Sequence, residues 1–178
     1  MRYVALLRAV NVGGASLPMA ELRELCGELG WRDVRTYIQS GNVIFEADGE
    51  AADLATALEQ GLERRFGLRR PVIVRSARQW SAYAAGSPFP QHEKEKPNHL
   101  LLGVAKEKVA AGAADALHRR GDAGEQVRQE EDVLWFWFPA GSGVSKLTPS
   151  AIDRAAGSPV TTRNWRTVLK LQEMLSAT

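Results

Sequence analysis

The chain has little with which to cross-link itself or hold a metal. Its 178 residues include one cysteine, Cys26, and three histidines, so no internal disulfide and no cysteine-based zinc cage can form. There is no apolar run of roughly 18 residues and no charged segment leading into an apolar one, the signals of a membrane span and a secretory leader. The expectation is a cytoplasmic protein with no membrane partner. Neither charge sign dominates. With 23 basic and 21 acidic residues the net charge is +2, which gives no long-range pull toward nucleic acid or anionic lipid. No motif names a cofactor. The glycine-rich stretch 139–147 is not a phosphate-binding P-loop, because Lys146 stands between Ser145 and Leu147 rather than in Gly-Lys-Ser/Thr. His92-Glu93 does not open a zinc-protease helix, because position 96 is Lys.

What is present suits an ordinary globular protein, with 44% hydrophobic and 25% charged residues. The length fits one compact domain or two small ones, at about 100–200 residues each. Arg2–Arg8 reads as a first strand, apolar on much of both faces. A loop with Gly13 and Gly14 follows. Pro18 then opens a helix carrying Leu22, Leu25, Cys26 and Leu29, with Gly30 closing it. Cys26 lies on that apolar stripe and reads as a packed, inert thiol. A hairpin spans Val34–Phe45. The next helix runs from Ala51 to Phe66, with Leu54, Leu58, Leu62 and Phe66 four apart and Gly67 after it. Pro71–Val74 is a strand. The order β-α-β-β-α-β belongs to the split-βαβ, ferredoxin-like arrangement.

Ser76 and Gln79 have the spacing of a capping box. Ser87–Asn98 holds three prolines and reads as a linker or surface loop. A strand at His99–Val104 is followed by an alanine-rich helix over Ala105–Arg120. A second hairpin pairs Glu125–Gln129 with Val133–Phe138, whose two apolar faces mark a central strand. Trp135 and Trp137 read as core, with base stacking as the alternative. Thr148 and Pro149 start another helix, stapled by Leu147 and Ile152 and ended by Gly157. A short strand at Val160-Thr161 precedes a last helix whose stripe is Val168, Leu171 and Leu175. The second half thus repeats the first. The expected fold is α+β, with two similar, duplicated ferredoxin-like halves: residues 1–75, then a helix and linker over 76–98, then 99–178 with an extra C-terminal helix.

Most of the chemistry sits in three stretches. In Arg35-Thr-Tyr-Ile-Gln-Ser-Gly-Asn-Val-Ile-Phe45, a two-residue turn at Ser40-Gly41 would pair Ile38 with Val43 and Thr36 with Phe45. Tyr37, Gln39 and Asn42 would share the polar face. Small polar residues are what such a turn needs; equally, Gln39, Ser40 and Asn42 can line a ligand site.

Three pieces together resemble the bacterial domain of unknown function 1697 family: Leu7-Arg-Ala-Val-Asn-Val-Gly-Gly14 with Met19-Ala-Glu-Leu-Arg23, the Val34–Phe45 hairpin, and Thr161-Thr-Arg-Asn-Trp165 with Thr167-Val168. The family usually has Arg-Gly-Ile-Asn-Val-Gly-Gly, and here Ala9 and Val10 replace the Gly and Ile. It often has a basic residue after the double glycine, where this chain has Ala15 and Ser16. The resemblance implies two similar ferredoxin-like halves and no established reaction.

If the three pieces met between the halves, they would form a polar cleft for an anionic small molecule or nucleotide. Its candidate residues are Arg8, Asn11, Gly13, Gly14, Tyr37, Gln39, Ser40, Gly41, Asn42, Thr162, Arg163 and Asn164. Arg8 and Arg163 would be fork-shaped donors. Backbone N–H groups around the paired glycines and at the start of the last helix would favour an anion. Ordinary helix capping by Thr162 or Asn164 explains the last stretch equally well. Nucleic-acid binding on an open sheet face has weak support, since no basic-glycine-aromatic signature is present. An enzyme would need a nucleophile–base or acid–base pair. His92, His99 and His118 have no such partner fixed by motif, so no catalytic residue is assigned. A protein–protein adaptor pairing through a sheet edge is the remaining reading.

Overall fold

A computed structural model describes residues 1–8, 16–39 and 41–177. The fold is mixed α+β, with two four-stranded antiparallel sheets and, among the described residues, seven α-helices. The chain divides into two compact units, Met1–Ala82 with Leu171–Thr178, and Tyr83–Lys170.

The first unit holds β1 (Arg2–Leu7), α1 (Met19–Glu28), β2 (Arg32–Tyr37), β3 (Asn42–Glu46), α2 (Ala51–Phe66), β4 (Val72–Ser76) and the start of α3 (Ala77–Ala84). Its sheet runs β2-β3-β1-β4. Alternation along β1 puts Tyr3, Ala5 and Leu7 into one core with Val43, Phe45, Val72 and Val74, under Leu22, Leu25 and Cys26 of α1 and Leu54, Leu58 and Leu62 of α2. Gly67 ends α2 in the left-handed conformation, φ 66°. The capping box at α3 closes in both directions: the Ser76 N–H donates to Gln79 Oε1 at 2.9 Å, and the Gln79 N–H donates to Ser76 Oγ at 3.2 Å. Val4, Leu6, Ile44 and Ile73, on the opposite face of the sheet, are also buried.

The second unit holds the end of α3, α4 (Pro90–Glu95), β5 (Leu100–Ala105), α5 (Ala113–Arg120), β6 (Gln126–Glu130), β7 (Val133–Trp137), α6 (Pro149–Ala156), β8 (Val160–Asn164) and the start of α7 (Trp165–Ser176). Its sheet runs β6-β7-β5-β8. Leu101, Ala105, Leu134, Phe136 and Val160 form a core with Ala113 and Leu117 of α5 and Ile152 of α6. Thr148 caps α6 through the Ala151 N–H, and Pro149 follows it. Val133–Phe138 is buried throughout, as both its faces being apolar requires.

Four sequence expectations need correction. In the hairpin, Tyr37 pairs with Asn42 and Thr36 with Val43, so positions 38–41 lie between the strands; Ser40 is outside the described residues. The register is displaced by two residues from that of a Ser40-Gly41 turn. An even displacement keeps the paired side chains on their expected faces, and Val34, Val43 and Phe45 do share the core, but Ile38, expected opposite Val43 on that face, falls in the turn and is exposed. The alanine-rich segment is helical only from Ala113. Ala105 belongs to β5 and pairs with Val160, so sheet pairing overrides alanine's helix propensity there. Segment 87–98 is no open loop. It contains α4, with Pro90 at its first position, and a 3-10 turn at Pro97–His99. The short strand at Val160-Thr161 extends to Asn164.

Two measurements test this packing. A Cβ at Gly103 of β5 would lie 2.9 Å from Phe136 Cε2, 3.0 Å from Val160 Cγ1 and 3.3 Å from the Leu134 carbonyl. Gly103→Ala therefore overpacks a rigid core, at a cost of about 1–3 kcal/mol, and calorimetry will show a lowered Tm. Glu125 clamps two loops. Its carboxylate accepts the Ala123 N–H and the Ser145 hydroxyl, each at 2.8 Å. Desolvation raises its pKa, but hydrogen bonds from the Ala123 and Glu125 N–H groups and from Ser145 outweigh it and leave the pKa lowered. A depressed folded-state pKa contributes stability above the unfolded value that is lost as pH falls through the folded value. In urea titrations the advantage of wild type over Glu125→Gln will shrink on acidification.

Candidate functional site

In the first unit, one end of the first of the three stretches meets the second. Leu6 pairs with Asn42, and the next amide, Leu7 N–H, donates to the Gly41 carbonyl at 2.9 Å. The end of β1 is thus fastened to the β2–β3 turn, and half-buried Arg8 emerges beside it. Gly41 has φ 84° and Ile38 φ 51°. The second value is costly for a β-branched residue. Ile38 is nonetheless 50% exposed, and Gln39 is exposed beside it. Asn42 is fully buried, and its Nδ2–H donates to the Tyr37 carbonyl at 2.9 Å. That bond ties the two ends of the turn together, a structural task for a residue proposed as a ligand donor. Tyr37 is half-buried on the strand face that also carries Arg35. Asn11, Gly13, Gly14 and Ser40 lie outside the described residues.

In the second unit, Thr162, Arg163 and Asn164 are strand residues, not the first turn of the last helix. Alternation splits them. Thr162 pairs with Gly103 and Asn164 with Leu101, while Arg163 pairs with Leu102 on the opposite face. Asn164 also caps α7: its Oδ1 accepts the Thr167 N–H at 3.0 Å. Arg163 Nη1 donates to the Thr162 carbonyl at 2.8 Å, and burial pushes the guanidinium pKa down to about 10. Thr161, two residues before it on the same face, is fully buried, and its hydroxyl has no hydrogen-bond partner among the described residues. Thr161, expected in a strand but not among the candidate site residues, shares its face with Arg163 because β8 runs on to Asn164 with a period of two.

Other candidates have structural work. Trp135 and Trp137 are buried. Trp137 stacks flat on His92, with ring centroids 3.6 Å apart and planes 1° apart, so neither offers an open platform for a base. His99 Nδ1 lies 3.2 Å from the Pro139 carbonyl. Val127 N–H donates to His118 Nε2 at 2.9 Å. Lys146 pairs with Asp122 at 2.6 Å on the surface. Cys26 is buried, and desolvation pushes its thiol up to about 12, which suits packing and not nucleophilic chemistry. Among the described residues no group of three or more His, Cys, Asp or Glu side chains could hold a metal, and no helix is long and apolar enough to cross a membrane.

These features define an α+β protein built on two four-stranded antiparallel sheets. The fold is similar to that of conserved bacterial protein SP0830 from Streptococcus pneumoniae, with a TM-score of 0.71 and 22% identity over 98% of each chain. Residues 1–135 match the family described as Protein of unknown function (DUF1697), and the chain belongs to that family. No curated protein matches it. The family carries no established activity.

The Asn42 clamp is testable apart from any ligand. Asn42→Ala removes a buried donor to the Tyr37 carbonyl and will destabilise the fold by about 1–3 kcal/mol in urea denaturation.

Proposed function

We propose that this protein is a binding module for an anionic small molecule or nucleotide, with Arg8 as its leading donor. The observation that carries the reading is the Leu7 N–H to Gly41 carbonyl bond. It fastens the end of β1, which Arg8 follows, to Gly41 of the turn that exposed Gln39 enters, and the proposal sets the guanidinium, the Gln39 amide and the Gly41 backbone around one anion. A guanidinium binds carboxylate or phosphate through paired charge-assisted hydrogen bonds.

The scaffold for this task is read as two duplicated ferredoxin-like halves, residues 1–75 and 99–178, joined through 76–98, in a cytoplasmic protein. Support comes from the sheet orders β2-β3-β1-β4 and β6-β7-β5-β8. In each, the first strand of the half sits between its third and fourth, as split βαβ units require.

The test is a thermal-shift screen against phosphate, sulfate, nucleotides and carboxylic acids at low and high salt. A ligand at a hundred-fold excess over its Kd stabilises the folded state by about 2.7 kcal/mol. At least one of these anions will raise the Tm of wild type, and Arg8→Ala will abolish the rise, each shift being measured against that protein's own ligand-free Tm. A rise that survives Arg8→Ala, or no rise with any anion, would sink the proposal.

A further inference from the structure

We propose that β6 is the pairing edge of a symmetric dimer, in which two copies of this chain join their second sheets through antiparallel β6 strands. Within its sheet, β6 stands at the end of the order β6-β7-β5-β8. Strand ends of this kind present unpaired backbone groups. The parity of the ladder identifies which ones. Val127 N–H is engaged by His118 Nε2 at 2.9 Å, so it takes no part in the bonding to β7. Alternation then turns the N–H and C=O of Gln129, opposite Leu134, away from β7 as well. His118 closes the Val127 end of the edge, and the Gln129 end is left for a partner strand.

The residues on β6 are self-complementary about that point. In an isologous contact the two-fold axis makes each pairing occur twice. With the axis at Gln129, the two Gln129 residues exchange both backbone hydrogen bonds, and Arg128 of each copy stands opposite Glu130 of the other. Arg128 and Glu130 are both exposed, and alternation puts them on one face of the strand, so two opposite-charge pairs form across the junction. On the other face, Gln129 of the second copy enters the groove of about 320 Å³ beside β6, lined by Asp115, His118 and Gln129 among others. An amide donates to the carboxylate there and accepts from the neighbouring amide. A register centred on Arg128 would set two guanidinium groups against each other, so charge selects the Gln129 axis.

The experiment measures mass by sedimentation equilibrium over a wide concentration range, for wild type, Arg128→Glu, Glu130→Arg and the double exchange Arg128→Glu/Glu130→Arg. Wild type will approach twice the 19.5 kDa chain mass. Each single reversal places like charges across the junction twice and will weaken association at least tenfold. The double exchange restores the opposite-charge pairs and will restore the dimer. Gln129→Pro removes only an outward N–H, which an edge strand tolerates, and will also give monomer, with circular dichroism confirming the fold. A wild type that stays at the chain mass throughout overturns the proposal and leaves the edge to an extended segment of another protein. A dimer that persists through the single reversals, or that the double exchange fails to restore, overturns it equally.

Discussion

The constraint on which everything else depends is that the central strands are apolar on both faces. β1 buries Ala5 and Leu7 on one side and Val4 and Leu6 on the other, and every residue of β5 is buried. A sheet built on such a strand must be covered twice. In the first unit α1 and α2 cover one side. The end of α7 is fastened to the opposite side by Arg2, which donates to the Leu175 carbonyl at 3.0 Å and also to that of Ala177, and by Arg35, which reaches Met174 at 3.1 Å. Cations at the last carbonyls of a helix satisfy orphan acceptors and oppose the dipole. In the second unit α5 and α6 cover one side. On the other face, the His92–Trp137 stack and the contact between Trp135 and Trp165 put α4 and the start of α7 against the sheet.

This double covering explains why so many polar residues have structural work. With both faces occupied, the open parts of a sheet are its turns and edges. The β2–β3 turn is where polar atoms converge. Its left-handed Ile38 is held there by two bonds that flank it, Asn42 to Tyr37 and Leu7 to Gly41. Strain of this kind persists only where the surroundings over-determine it. Arg8 stands beside that point. β6 is one of the edge strands, and there a histidine rather than a strand answers one of the outward amides.

The near-zero net charge also has a local meaning. Arg65 joins Glu24 and Glu28 of α1 to α2 at 2.8 and 2.9 Å, and Arg2 meets Glu46 at 3.0 Å across β1 and β3. These pairs are partly solvated and add modestly to stability. Arg163 is different: burial costs its guanidinium solvation, and the lowered pKa records that cost.

Periodicity and capping chemistry were legible in the sequence because they act over a few residues. The 51–66 helix with Gly67 after it, the Ser76–Gln79 box and the Thr148-Pro149 start all follow from local geometry, and the doubly apolar 133–138 strand follows from alternation. Arg8 and the hairpin were legible as candidate chemistry through their residue types. What the tertiary structure decided were matters set by partners distant in the chain. Ala105 became strand because Val160 lies opposite it. Segment 87–98 folded because Trp137 offers His92 a flat surface. Asn42 became a clamp because the register placed it under the Tyr37 carbonyl. Arg163 parted from Thr162 and Asn164 because β8 runs on to position 164 and a strand sends neighbours to opposite faces. A local pattern states which faces a segment must bury; only long-range pairing states what meets each face.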